Sequence, residues 1–126
     1  WPIINCHGDL NFNNILLENE NMYFIDWDDT NEYTFLYDFI NCIFVDSLYY
    51  KDFYYLNKYF VGDYDKYLKD FFDCMSLTFN PEYKKYYLVI YIIERILEFE
   101  MVQNSNTLDE LLYKYKEVLE TIIHNY

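Results

Sequence analysis

The chain has 126 residues, with 9 basic against 22 acidic side chains and a formal net charge of −13. That balance excludes nucleic acid and anionic membrane surfaces as partners, because both are held by clustered Lys and Arg. Cys6, Cys42 and Cys74 are odd in number and form no Cys-x-x-Cys pair, which excludes a disulfide framework and a cysteine zinc site and makes a reducing cytoplasm the expected location. Aromatics are 24% of residues and alanine is missing, a bias that an AT-rich coding sequence explains without any functional cause. The longest apolar run, Tyr86–Ile93, falls far short of the roughly 20 residues that cross a bilayer. The sequence opens at Trp1-Pro2 without an initiator methionine, so it reads as the C-terminal portion of a larger protein.

In chain order, Ile3–Cys6 is expected as a short strand feeding a loop over His7–Asn13. Two apolar runs follow, Ile15–Leu17 and Met22–Ile25, separated by a polar turn, and they predict a β-hairpin. Asn31–Thr34 is polar and reads as a loop. A helix is expected over about Phe35–Tyr49, with Leu36, Phe39, Ile40, Ile43 and Phe44 on its apolar face. A short helix within Asp52–Phe60 ends before Gly62. Asp63 is then placed to cap a helix with the stripe Tyr64, Tyr67, Leu68, Phe71, Phe72 and Met75. Asn80-Pro81 is a strong helix start, and the helix from there to about Gln103 is apolar on nearly all sides, which predicts a buried central position. A turn at Asn104–Asn106 and a Thr107–Glu110 capping box precede a last amphipathic helix. The fold class is α+β and mostly α, a short hairpin fronting four or five helices.

The chemistry lies between Cys6 and Trp27. An acid stands two residues after a histidine, an asparagine five residues after that acid, and a second acid twelve residues on. With a three-residue loop over Asn19–Asn21, Glu18 opposes Met22 and Asn14 opposes Asp26 at the open end of the hairpin. Opposed side chains share a face. An amide oxygen and a carboxylate converging there suit a hard cation such as Mg²⁺, which takes oxygen ligands and keeps phosphate as a partner. A two-residue loop would oppose Asn14 with Ile25 instead.

His7-Gly8-Asp9 with Asn14 has the separations of a kinase catalytic loop, and Ile25-Asp26-Trp27 stands where the second magnesium acid stands. Glycine after the histidine and an aromatic after the second acid make the pattern resemble the aminoglycoside phosphotransferase and choline kinase superfamily. Tyr37-Asp38-Phe39-Ile40-Asn41-Cys42-Ile43-Phe44 resembles the acid-bearing helix start that follows in that superfamily. The resemblance is dense over about Ile3–Phe44 and architectural beyond. It implies that residues 1–126 are the C-terminal catalytic lobe of a kinase-like phosphotransferase, with ATP as co-substrate and Mg²⁺ as cofactor. Asp9 would be the catalytic base, Asn14 and Asp26 the metal ligands, and His7 and Asp38 structural supports of the loop. The acceptor would be a small-molecule alcohol of the choline, ethanolamine, amino sugar or aminoglycoside type, and the acidic charge suits a cationic one. The nucleotide-binding residues would lie in an upstream lobe, since only Gly8 and Gly62 are glycines and no phosphate-cradling loop is present. The fragment alone is therefore expected to be inactive.

Other residues read more plainly. Asp28 and Asp29 form a solvated acidic loop, the helical tyrosines and phenylalanines are core, and Asn11 and Asn13 receive no role. A hydrolytic metal site built on His7 and Asp9 would need further histidines, and His124 is the only other one. The rival from another class is a non-catalytic helical interaction or regulatory fragment that kept the motif.

Overall fold

Two separate antiparallel ladders front the helices. The computed structural model describes residues 1–102 and 105–125, with side chains described for 1–98 and 109–124. In order these are β1 (Ile3–Cys6), a 3-10 turn (Phe12–Asn14), β2 (Ile15–Glu18), β3 (Asn21–Phe24), β4 (Asn31–Thr34), α1 (Tyr37–Tyr49), α2 (Tyr54–Val61), α3 (Asp65–Cys74), a 3-10 turn (Pro81–Tyr83), α4 (Lys84–Val102) and α5 (Ser105–Asn125). The architecture is α+β and mostly α. Among the described residues no helix is long and apolar enough to cross a membrane.

β4 corrects the loop expected at Asn31–Thr34. It pairs with β1 in the register Ile3↔Thr34, Ile4↔Tyr33, Asn5↔Glu32 and Cys6↔Asn31. The polar sequence is held extended from outside: Thr34 donates its N–H and its hydroxyl to the two carboxylate oxygens of Glu94 on α4, both at 2.8 Å. Tyr33 adds a hydroxyl bond to Glu98 Oε1 at 2.7 Å, and its ring stacks on Tyr37 at 3.8 Å. Arg95 completes this junction, donating Nη1 to Tyr37 Oη and Glu98 Oε2, each at 3.0 Å.

The hairpin β2–β3 also departs from expectation. Its register is Ile15↔Phe24, Leu16↔Tyr23, Leu17↔Met22 and Glu18↔Asn21, so the loop is two residues long. Asn19 and Glu20 both take positive φ, 46° and 68°, as a type I′ turn requires. Such turns favour glycine at the second position, and glutamate there hides the signal from the sequence.

The helical half is packed by Phe35, Leu36, Tyr37, Ile40 and Phe44 from the α1 region, Leu56 and Tyr59 from α2, Leu68 and Phe72 from α3, Tyr87, Leu88, Tyr91 and Ile92 from α4, and Leu111, Tyr115, Val118 and Ile122 from α5. α2 ends at Gly62, whose φ of 98° is the left-handed closure glycine permits. Asp63 does not cap α3, which begins at Asp65 without a side-chain cap; Asp63 Oδ2 instead takes Lys58 Nζ at 3.0 Å. Tyr67, from the α3 stripe, is exposed. Asn80 does cap its turn, accepting from Glu82 N at 3.0 Å, with Pro81 at the first position. α4 is not buried on all sides, since Tyr86, Val89, Ile93 and Leu97 face outward while Tyr87, Leu88, Tyr91 and Ile92 face the core. The helix lies on the outside of the bundle, so only one of its apolar faces is covered. Of the turn expected at Asn104–Asn106, Asn104 lies outside the described residues, as does the side chain of Thr107, while Ser105 and Asn106 are not a turn but already helical in α5.

Candidate active site

The site is a loop seated on the first turn of α1. Asp38 accepts the backbone N–H of His7 at 2.7 Å on Oδ2 and that of Gly8 at 3.0 Å on Oδ1. One carboxylate thus satisfies two adjacent donors with charge-assisted bonds. Gly8 has φ 87°, and a Cβ there would come within 2.0 Å of the Asp29 carbonyl oxygen. Both the backbone angle and the close approach require glycine.

His7 is buried and ties the loop to the second acid's segment. Its Nε2 lies 2.7 Å from the Ile25 carbonyl oxygen. A carbonyl only accepts, so Nε2 carries the proton. Nδ1 is buried without a partner among the described residues. With one nitrogen donating and the other enclosed, His7 offers neither a free base nor a metal lone pair. The His7 ring packs on Trp27 at 4.6 Å, and Trp27 Nε1 donates to Phe24 O at 2.8 Å. Asp26 is therefore flanked on both sides by residues bound to His7.

Asp9 is half-buried. Two amides converge on it: Asn11 Nδ2 donates to its carbonyl at 3.1 Å and to Oδ2 at 3.2 Å, while Asn14 Nδ2 donates to the same two atoms at 2.9 and 3.4 Å. Among the described residues the side-chain bonds to the Asp9 carboxylate fall on Oδ2, and Oδ1 accepts none. Asn14 is buried, and since its amide hydrogens go to Asp9, its Oδ1 is the atom left to meet a cation.

The two-residue loop shifts the cross-strand partner of Asn14. The Ile25 N–H donates to Asn14 O at 3.0 Å, so Asn14 stands opposite Ile25 and not opposite Asp26. Cross-strand pairing therefore does not bring the two side chains together. Asp26 leaves the strand with φ 64°, and that left-handed step, rather than the pleat, sets the direction of its exposed carboxylate. Among the described residues no three His, Cys, Asp or Glu side chains cluster as a metal site. The Asn14 amide and the Asp26 carboxylate are both oxygen donors, the type a hard cation takes.

Cys6 lies beside the loop and takes no part in its chemistry. Burial first, and then the Asp38 carboxylate, pushes its thiol from 9.0 up to about 12. It remains protonated and donates to Thr34 O at 3.7 Å.

Two residues without an assigned role in the sequence belong to this seat. Asn11 caps the Phe12–Asn14 turn, accepting from Asn13 N at 3.0 Å while its amide holds Asp9. Asn41 donates Nδ2 to Leu10 O at 3.0 Å. Its signal was an amide set within the apolar run Phe39-Ile40-Asn41-Cys42-Ile43.

A catalytic-type loop clamped to a helix start, and bonded to the residue before a second acid, has the layout of a phosphotransferase. The model of the phosphotransferase enzyme family (APH) matches residues 1–66, more than half of the chain, and the chain belongs to that family. Searches of curated proteins and of solved structures returned no match.

Proposed function

We propose that this chain is the C-terminal catalytic lobe of an ATP-dependent phosphotransferase that phosphorylates a small-molecule alcohol. Asp9 orients and deprotonates the acceptor hydroxyl through Oδ1. The observation that carries the reading is the seat of Asp9, whose other oxygen is held by Asn11 and Asn14 so that Oδ1 is presented in one direction. Phosphoryl transfer demands positioning and charge neutralisation more than covalent work from the protein, and one fixed carboxylate meets that demand.

Asn14, through Oδ1, and Asp26 would hold Mg²⁺, which would neutralise charge on the phosphates when bound. The support is motif spacing and the double anchoring of the Asp26 segment on His7. A choline, ethanolamine, amino sugar or aminoglycoside acceptor is favoured by an acid-lined hollow of about 440 Å³ beside the loop, walled by Asp28, Asp29, Glu32, Glu94 and Glu98. The nucleotide is held by a lobe encoded upstream. Leu17, Met22 and Phe24, which share one face of the hairpin, are exposed at 75, 56 and 43%, an apolar face such a lobe would cover.

The test is ATP consumption by the polypeptide carrying the upstream coding region, against a panel of choline, ethanolamine, amino sugars and aminoglycosides. Turnover with one class is expected, and Asp9→Ala should lower kcat by about 10²–10⁴-fold. Near-normal turnover by Asp9→Ala would remove the base. Residues 1–126 alone should show no turnover, and Mg²⁺-dependent ATP hydrolysis by them would overturn the lobe assignment. A stop codon or unrelated domain upstream would favour the regulatory fragment.

A further inference from the structure

α1 grips the catalytic loop twice, and the second grip depends on a different helix. Asp38 holds the N–H groups of His7 and Gly8, and Asn41, one turn further along α1, holds the Leu10 carbonyl. Asp9 lies between these points. An asparagine amide can present either its nitrogen or its oxygen, but a carbonyl takes only a donor. Tyr91 on α4 decides the orientation: its hydroxyl donates to Asn41 Oδ1 at 2.6 Å, which occupies the oxygen and turns Nδ2 toward Leu10. Asn41 is 0% exposed and Tyr91 1%, so the pair is shut off from solvent. Any disruption leaves a buried polar group unpaired next to the loop.

We propose that Asn41 and Tyr91 are positioning residues for phosphoryl transfer, a buried relay by which α4 fixes the loop that aims Asp9. The proposal rests on the assignment of Asp9 as base. Neither residue meets substrate; both act through the Leu10 carbonyl. Loss of the relay lowers kcat and leaves the nucleotide and acceptor KM values near those of the parent protein.

Two measurements test it. The first is hydrogen exchange on residues 1–126, which needs no activity. Tyr91→Phe keeps the ring and removes the donor, so amides in His7–Asn14 should exchange about tenfold faster while α1 and α4 keep their protection. An unchanged loop, or equal acceleration through α1 and α4, overturns the proposal. The second is the pH profile of the longer, active polypeptide carrying Asn41→Asp or Asn41→Leu. A buried carboxyl is pushed toward its protonated form, which can donate to Leu10 while still accepting from Tyr91. The kcat of Asn41→Asp relative to the parent should therefore be low at alkaline pH and recover severalfold on acidification. Asn41→Leu should stay about tenfold down at every pH. A flat Asn41→Asp ratio, a kcat for Asn41→Leu within twofold of the parent, or a change confined to KM overturns the relay. Asp9→Ala run alongside separates the outcomes, because if it retains turnover the base assignment fails while the exchange result still decides the relay.

Discussion

The two ladders of this chain have the same length and the same antiparallel pairing, yet they are stabilised by different means. β1–β4 is closed over the 24 residues of intervening chain from 7 to 30 and is fastened from behind by Glu94 and Glu98 of α4. β2–β3 is closed by a two-residue turn, and all of its residues except the half-buried Ile15 are exposed. Among the described residues only its base is tied down, through the Ile25–Asn14 and His7–Ile25 bonds. A lone two-stranded hairpin is marginal in water. The first ladder is thus part of the core, and the second is a projection carried by the His7–Asn14 loop.

This contrast can be broken at its joints. Gly8→Ala should have the largest effect, because it places a methyl group against the Asp29 carbonyl and strains φ 87° at once. A loss of about 3 kcal/mol in urea unfolding is expected, and a stability within 0.5 kcal/mol of the parent would mean that the loop has another seat. Glu94→Ala comes next. It leaves the Thr34 N–H and hydroxyl without their carboxylate, which should cost about 2 kcal/mol and expose the β1–β4 amides to exchange while the β2–β3 amides are unaffected. Glu20→Gly relieves a glutamate at φ 68° and should stabilise the hairpin by about 1 kcal/mol. The Leu16 and Tyr23 amides would report the gain, and slower exchange in β1–β4 instead would show that the ladders are coupled. Leu17→Lys should do least. At 75% exposure the side chain contributes little to this chain, so the unfolding midpoint should move by less than about 0.5 kcal/mol. A larger loss would mean that the hairpin face is already packed.

Much of the architecture was legible because it rests on local signals. Helical periodicity located α1, α3 and α4, Gly62 marked the end of α2, and Asn80-Pro81 marked the start of the turn leading into α4. The reading failed where distant groups overrule local preference. Nothing in Asn31–Thr34 announces a strand, because its pairing with β1 and its fastening to Glu94 are both remote in sequence. The hairpin register failed because Glu20 occupies a left-handed position usually given to glycine. α4 was read as fully buried because apolar composition reports what a helix can bury, not how many neighbours it has. Likewise, the order and spacing of His7, Asp9, Asn14 and Asp26 gave the candidate chemistry without giving their approach to one another.

What the sequence determined by itself was the set of candidate residues and the helices that stand behind them, since motif spacing and amphipathic period are properties of the chain alone. Only the tertiary structure decided that Asp38 holds the His7 and Gly8 N–H groups, which nitrogen of His7 carries the proton, and that Asn41 donates to the Leu10 carbonyl while accepting from Tyr91. The physical reason is that hydrogen-bond partners tens of residues apart are selected by packing, and a polar group's role is fixed by the partner it is packed against.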